Sequence, residues 1–100
     1  MNMQQMMIQA QKMQRELQKA QAELAKKEFK VNKAGLVTIT VHGNKEVVSV
    51  VVDEDGYDKE NKEMVEELIV SGLNELFDQI DEESEAINER ITGRSGGLGF

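Results

Sequence analysis

The sequence predicts an α+β fold in which a long helix, a short candidate strand, a β-hairpin and a second long helix follow one another. Three observations predict it. Apolar residues recur with helical spacing over residues 3–28, with the alternation of a strand over residues 29–52, and with helical spacing again over residues 61–91. At 100 residues, the chain has the length of one small domain.

The first helix carries an apolar seam of the kind found in coiled coils. A helix over residues 3–28 is about 40 Å long at about 1.5 Å per residue, which exceeds the width of a small domain. We therefore expect it either to project beyond the core or to lie along a partner helix, and the narrow seam favours the partner. The alternative is a helix packed on the core of its own domain. The apolar residues of this first helix occupy the a and d positions of a heptad repeat, in steps of 3 and 4: Met3, Met6, Ala10, Met13, Leu17, Ala20 and Leu24.

Residues 29–52 contain the predicted strands. Phe29 and Val31 alternate with polar residues and form the short candidate strand. Two runs rich in β-branched residues follow at residues 36–41 and 47–52, and such residues favour strands. The two runs therefore predict a β-hairpin.

The turn between these runs sets how they pair. We place Gly43 and Asn44 at the centre of a two-residue turn, because both residue types tolerate a positive φ. On the apolar face this turn pairs Val37 with Val50 and Ile39 with Val48, and the mostly polar face holds Thr38, Thr40, Val47 and Ser49.

An acidic segment at residues 53–58 follows the hairpin. Its carboxylates raise the question of calcium, but the calcium-binding loop needs a bidentate acid where this chain has Met64. We expect a solvated turn whose aspartates cap the next helix.

The second helix is predicted from Asn61 to about Ile91. Its first half is broadly apolar and should cover the sheet, whereas its second half is narrow and should run beside the first helix. Residues 1–92 form one predicted domain, and residues 93–100 form a Gly-rich tail that we expect to be mobile. The broad face holds Val65, Leu68, Ile69, Gly72, Leu73, Leu76, Phe77 and Ile80, of which Leu68, Leu73, Leu76 and Phe77 are candidates for a core or dimer contact; the narrow face holds Ile80, Ser84, Ile87 and Ile91.

Charge is distributed unevenly along the chain. The net charge is −7, but residues 1–33 carry +4 and residues 34–100 carry −11. Lys12, Lys19 and Lys26 recur at heptad position c, and Arg15 stands at the adjoining f position. These four residues form what we call the basic stripe, on the side of the helix away from the seam. A solvated helix face and a phosphate-binding surface both account for it.

Several classes of protein are excluded by what the sequence lacks. Without cysteine there is no disulfide scaffold, zinc ribbon or thiol nucleophile. No apolar run is long enough to span a membrane, and the N-terminus has no signal-peptide pattern, so we expect a cytoplasmic protein. His42 is the single histidine and no phosphate-binding glycine loop is present. We expect neither enzymatic activity nor a cofactor, metal or small-molecule substrate.

Three segments of the sequence resemble the YbaB/EbfC family of nucleoid-associated proteins. They are the helical run QAQKMQRELQKAQAEL, the hairpin GLVTITVHGNKEVVSVVVD and the helical run NKEMVEELIVSGLNEL, and the ending GGLGF is similar as well. The resemblance implies an α-β-β-β-α fold with a three-stranded antiparallel sheet. It also implies an intertwined homodimer with projecting helical arms that binds double-stranded DNA in the bacterial cytoplasm, on the nucleoid.

We therefore predict a nucleoid-associated homodimer that binds double-stranded DNA largely through phosphate contacts. The candidate contacts are the basic stripe of Lys12, Arg15, Lys19 and Lys26. The alternative is a prefoldin-like coiled-coil chaperone or scaffold, since such subunits also place β-hairpins between two long helices. A chaperone would need exposed apolar residues at its arm tips, and the candidates are Met6, Met7 and Ile8.

Overall fold

The computed structural model describes residues 2–96 and confirms the α-β-β-β-α order. Two short 3-10 turns, Glu54–Tyr57 and Lys59–Asn61, join the sheet to the last helix. The molecule is elongated, with extents of 69 × 22 × 14 Å. Its main elements are helix α1 (Met3–Lys26), strands β1 (Glu28–Lys33), β2 (Val37–His42) and β3 (Val47–Val52), and helix α2 (Lys62–Gly96).

Both ends of α1 are defined by local hydrogen bonds. The side chain of Asn2 caps the first turn by accepting from the backbone N–H of Gln5 at 2.8 Å. The helix ends at Lys27, where the backbone becomes extended and its N–H donates to the carbonyl of Leu24. Glu28 then begins β1, so the helix stops slightly before the predicted boundary. Helix α2 continues past Ile91 to Gly96, and residues 97–100 of the predicted tail lie outside the described residues.

The three strands form one antiparallel sheet in the order β1-β2-β3. The candidate strand around Phe29 and Val31 is confirmed as β1, whose six residues pair with β2. A tight turn joins the two strands, and Ala34 (φ 57°) and Gly35 (φ 70°) adopt the left-handed conformation there. The side chain of Asn32 supports the turn by accepting from the N–H of Gly35 at 3.0 Å.

The predicted pairing of β2 with β3 is wrong by two residues at Ile39, and the predicted faces are right except at Val47. Ile39 pairs with Val50 rather than with Val48. One residue of the difference comes from the hairpin loop, where Lys45 (φ 68°) takes the left-handed conformation and His42 pairs with Glu46. The other comes from a bulge at Val48, because the register shifts between Thr40 and Val41. The shift of two residues keeps Ser49 and Val50 on their predicted faces. Val47 is shifted by one residue only, so it pairs with Val41 and lies on the core-side face rather than on the predicted polar face.

Gly43 has a different role from the predicted one. Its φ is not positive, but a Cβ at this position would overlap the backbone carbonyl of Leu24. Gly43 and Asn44 instead donate their N–H groups to the carbonyls of Lys27 and Ala25, at 2.9 and 3.2 Å. The glycine therefore lets the hairpin loop lie directly against the end of α1.

The core lies between β2 and the first half of α2. Val37, Ile39 and Val41 are completely buried on one face of β2, and Leu76 of α2 is buried over them. Gly72 also faces this core, where an added Cβ would lie 2.6 Å from Cδ1 of Ile39. The predicted broad face of the second helix thus covers the sheet. Thr40 is buried as well, although it lies on the opposite face of the central strand.

Candidate nucleic-acid interface

Helix α1 and the part of α2 after Ile80 form a projecting structure that we call the arm. Leu24 lies beside Ile80, and Ala20 lies beside Ile91, so the two helices run antiparallel. Ile91 is buried in this contact. The predicted packing of the narrow half of α2 against α1 is therefore present.

Polar side chains join the two helices inside this mostly apolar contact. Nε2 of Gln21 donates to the backbone carbonyl of Ser84 at 3.2 Å and to Oδ1 of Asn88 at 3.1 Å. Oγ of Ser84 donates to Oε1 of Gln21 at 3.2 Å. These bonds satisfy both partners within the contact and define how the helices align along the arm.

Burial along the α1 seam falls steadily toward the N-terminus. Leu24 is only 6% exposed, and Leu17 and Met13 are half-buried. Met6 is 57% exposed and Met3 is 77% exposed. Helix α2 thus covers the seam as far as Met13, and within the described residues the rest of the seam has no partner helix.

Three lysines outside the basic stripe form ion pairs with α2. Nζ of Lys27 lies 2.7 Å from Glu83, that of Lys33 lies 2.8 Å from Glu75, and that of Lys45 lies 2.7 Å from Asp81, as measured to the carboxylate oxygens. These pairs are largely exposed, so each contributes at most about 1 kcal/mol to stability. Their main effect is to neutralise the charge of these three lysines.

The four side chains of the basic stripe differ from these three lysines, because they are exposed and unpaired among the described residues. All of them are exposed, and no ion pair with another described residue is found for any of them. At about 100° per residue, heptad positions c and f lie on the side of α1 turned away from the buried seam. Lys19 also borders a shallow depression that includes Glu16, Glu23 and Arg90. The structure therefore leaves Lys12, Arg15, Lys19 and Lys26 on one solvent-facing surface of the arm.

The acidic segment after β3 is a compact capped turn. The carboxylate of Asp53 accepts from the N–H of Asp55 at 3.1 Å, and the side chain of Asn61 donates to the carbonyl of Asp55 at 2.9 Å. Among residues 2–96, no group of three metal-ligating side chains is placed to hold an ion. No helix in this range is long and apolar enough to cross a membrane.

Comparison with known proteins agrees with this architecture. The family model of the YbaB/EbfC DNA-binding family matches residues 1–95. This chain belongs to the YbaB/EbfC DNA-binding family. The resemblance noted from the sequence is confirmed.

The similar curated proteins are each named as a nucleoid-associated protein. One from Agathobacter rectalis is 43% identical over 97 residues, which cover 96% of this chain and 86% of that protein. One from Mycoplasmopsis pulmonis is 39% identical over 100 residues, covering 100% of this chain and 97% of that protein. A third, from Lachnoclostridium phytofermentans, is 42% identical over 98% of this chain and 83% of that protein.

At the sheet end, this YbaB/EbfC chain leaves apolar side chains uncovered. Helix α2 lies over β1 and β2, and on its β1 side Glu75 pairs with Lys33. On its other side, Nζ of Lys45 lies 6.0 Å from the ring centre of Phe77. Among the described residues, the main contacts of α2 with the sheet are to β1 and β2 rather than to β3. We call the resulting surface the β3 patch: exposed Val50 on β3 with half-buried Leu73 and Phe77 on α2.

The four residues predicted for a core or dimer contact are divided between two environments. Leu76 is buried between α2 and the sheet and is 1% exposed. Leu68, Leu73 and Phe77 are half-buried and pack around the edge of the core. Their part in a dimer stays a prediction.

Sequence reasoning missed two features of this YbaB/EbfC chain. It did not find that Lys27, Lys33 and Lys45 are neutralised by α2, because those pairs depend on how the helix crosses the sheet. It also did not find that β3 is uncovered. A signal was present, since all residues of β3 except Ser49 are valine and both faces are therefore apolar.

Proposed function

We propose that this chain binds double-stranded DNA as a homodimer, through phosphate contacts made by the basic stripe. The proposal rests on the contrast between paired and unpaired lysines in this chain. Lys27, Lys33 and Lys45 pair with acids of α2, whereas the stripe is exposed and unpaired among residues 2–96. Membership in a DNA-binding family supports the same conclusion.

The spacing of the stripe suits a polyanion. Successive c-position lysines lie seven residues apart, or about 10 Å along a helix that rises about 1.5 Å per residue. Duplex DNA carries a phosphate charge about every 1.7 Å of its axis, so several phosphates lie within reach of one arm. The acidic body opposes binding, but at physiological salt charges beyond about 8 Å are largely screened.

The β3 patch supports the homodimer. Its apolar side chains come from two elements and lie beside the open edge of the sheet. Edge strands with apolar faces are prone to pair with another chain, and protein surfaces rarely leave such patches in water. A second copy would cover this patch and leave both arms projecting. We place the resulting complex on the nucleoid in the cytoplasm, in keeping with the names of its relatives.

Binding to a labelled duplex at several salt concentrations tests the proposal. If about three stripe side chains per subunit contact phosphate, a dimer neutralises about six, and log K should fall with log salt at a slope near −5, or about −0.9 per phosphate. The variant Lys12→Glu/Lys19→Glu should lose binding while the dimer remains intact, because both side chains are exposed. The matched control is Lys59→Glu/Lys62→Glu, which makes the same charge change at exposed positions away from the arm.

The outcomes separate the parts of the proposal. Wild-type protein that fails to bind even at low salt contradicts DNA binding itself. Equal loss in the stripe variant and the control shows that only net charge matters. Unchanged binding by the stripe variant contradicts the stripe and directs attention to exposed Lys30 and Arg90.

One observation favours the chaperone alternative. Met6, Met7 and Ile8 are exposed near the end of the arm, as a prefoldin-like protein would require. Suppression of the aggregation of a denatured test protein distinguishes the two functions. A chaperone should suppress it at stoichiometric concentrations, and the variant Met6→Gln/Met7→Gln/Ile8→Gln should not. A DNA-binding protein should leave aggregation unchanged.

A further inference from the structure

The end of the arm differs in composition from the rest of the chain. Residues 2–11 contain no Asp, Glu, Lys, Arg or His, whereas 31% of the whole chain is charged. We call these residues the arm tip. They are helical from Met3 onward and consist of methionine, glutamine, isoleucine, alanine and the capping Asn2. Met3, Met6, Met7 and Ile8 are all more than half exposed.

The apolar face of the arm tip continues an interface that is already present. The same a/d seam is covered by α2 from Leu24 to Met13, and it runs on without interruption through Ala10, Met6 and Met3. Helix α2 covers none of these last three residues within the described part of the chain. An a/d seam packs by inserting its side chains between those of a neighbouring helix, so this portion has the geometry of an unoccupied coiled-coil surface.

We propose that the arm tip pairs with the arm tip of a second copy in another dimer, and thereby joins dimers to one another. The dimer itself rests on the proposed function given above. Two identical tips form a symmetric contact in which the same seam residues are used on both sides. Because the tip lacks charged side chains, two copies meet without like-charge repulsion.

DNA and an unrelated protein would fit the arm tip less well than a second copy does. A DNA phosphate backbone is recognised by cations, and the first basic side chain of the chain is Lys12, beyond the tip. An unrelated protein partner has no complementary charge to recognise. A second copy, by contrast, is certain to carry a matching seam with the same heptad phase.

The length of the tip determines the strength of the contact. The exposed seam from Met3 to Ala10 spans roughly 12 Å at about 1.5 Å per residue, or about two helical turns. Such a short pair is weak as an isolated contact. A dimer presents two tips, so many dimers held near each other on DNA engage several such contacts at once, and the effective concentration strengthens them. Joined dimers would bridge separate duplexes.

Sedimentation velocity without DNA tests the proposal, at increasing protein concentration. Wild-type protein should associate beyond the dimer. The variant Met3→Gln/Met6→Gln keeps charge and helix propensity, and it should weaken this association about tenfold or more, because the apolar area buried at the seam is lost. Its dimer and its affinity for a single short duplex should remain those of the wild type. Because no DNA is present, a lack of association in this experiment is independent of whether the protein binds DNA.

A composition-matched variant distinguishes the seam from general stickiness. Met3→Gln/Met6→Gln combined with Gln4→Met/Gln5→Met restores the two methionines at b and c positions, off the seam. It should associate no better than the double variant. If it associates like the wild type, non-specific apolar contact is the cause and paired seams are contradicted.

Single cysteines provide a direct measure of proximity, because the chain contains no cysteine of its own. Met6→Cys lies near the middle of the exposed seam, where two-fold symmetry brings it next to its own copy, and Gln5→Cys lies beside the seam as the control. Oxidation should link Met6→Cys subunits faster than Gln5→Cys subunits, because a disulfide requires Cβ atoms about 4 Å apart. The linked particle should sediment under native conditions as a tetramer or larger species.

Three results would overturn the proposal. One is wild-type protein that remains a dimer at all concentrations, with the two cysteine variants linking at equal rates. Another is a linked Met6→Cys particle that sediments as a dimer, which would place both tips within one dimer. The third is loss of affinity for a single duplex by Met3→Gln/Met6→Gln with unchanged association, which would assign the tip to DNA.

Discussion

Strands β2 and β3 have similar sequences and opposite environments. Each has six residues, and β3 is the more apolar of the two, with five valines against the mixed valine, isoleucine and threonine of β2. Val37, Ile39 and Val41 of β2 are 0% exposed. Val47, Val48, Val50 and Val51 of β3 are between 39% and 59% exposed.

The difference arises from the neighbours of each strand. Strand β2 has a strand on both sides and α2 above it, whereas β3 has one neighbouring strand and lies beyond the edge of α2. An apolar composition makes a strand suitable for burial, but burial also requires a neighbouring element that covers the strand. We propose that the apolar residues of β3 are covered by a second copy of the chain, at the dimer interface.

The largest expected effect comes from a charge placed in the β3 patch. Leu73→Glu should dissociate the dimer or unfold the protein, because burying an unpaired carboxylate costs several kcal/mol. Sedimentation equilibrium at micromolar concentration should give a particle near the mass of one chain, 11.3 kDa, whereas the wild type should give twice that mass.

The matched control for this change is Gln79→Glu. Gln79 is exposed and follows Glu75 by one helical turn, so it lies on the side of α2 away from β3. It should leave the dimer intact. Wild-type protein of 11.3 kDa would show that β3 remains in water and that the interpretation of the patch is wrong.

A smaller but substantial effect is expected inside the covered strand. Ile39 is completely buried beneath α2, so Ile39→Ala should lower the free energy of unfolding by about 2–5 kcal/mol. Urea denaturation followed by circular dichroism measures this change. A cost below about 1 kcal/mol would mean that the β2 core is loosely packed or can collapse around the lost methyl groups.

The pattern of the strands was predictable, but their register was not. Alternation identified β2 and β3, and the faces of both except at Val47. The loop geometry depends on Lys45 adopting a positive φ, which is uncommon for a lysine and has no signal in the sequence. In the same loop Gly43 lies against the end of α1, a tertiary contact that the sequence does not reveal either. Local propensity therefore could not distinguish this loop from a two-residue turn.

Val50 and Ile39 allow the two strands to be compared at one pair of opposite residues. Val50 lies opposite Ile39 and is 39% exposed in the subunit. Val50→Ala should lower dimer stability by about 1 kcal/mol per subunit, because it removes two methyl groups worth about 0.8 kcal/mol each when buried. Sedimentation equilibrium should therefore show a dimer dissociation constant raised about thirtyfold, which corresponds to about 2 kcal/mol per dimer. An unchanged dissociation constant would place Val50 outside the interface.

In the candidate DNA site too, local spacing predicted some features, whereas others depend on contacts between distant parts of the chain. The heptad repeat was sufficient to place Lys12, Arg15, Lys19 and Lys26 on one exposed surface, because side-chain direction on a helix follows from spacing. Which other lysines are neutralised could not be predicted. Lys27 and Lys45 lie far in sequence from Glu83 and Asp81, and only the crossing of α2 brings them together.

The smallest effect is expected on the face of β2 turned away from the helices. Thr38 is half-buried there, and its Oγ1 accepts from Nδ2 of Asn32 at 2.8 Å in an exposed hydrogen bond. Thr38→Ala removes that bond and some strand propensity, so it should cost less than about 1 kcal/mol. Thr38→Ser keeps the hydroxyl and should recover the part due to the bond. If Thr38→Ala destabilises as much as Ile39→Ala, both faces of β2 are covered in the assembled protein, and the dimer must bury the face opposite α2.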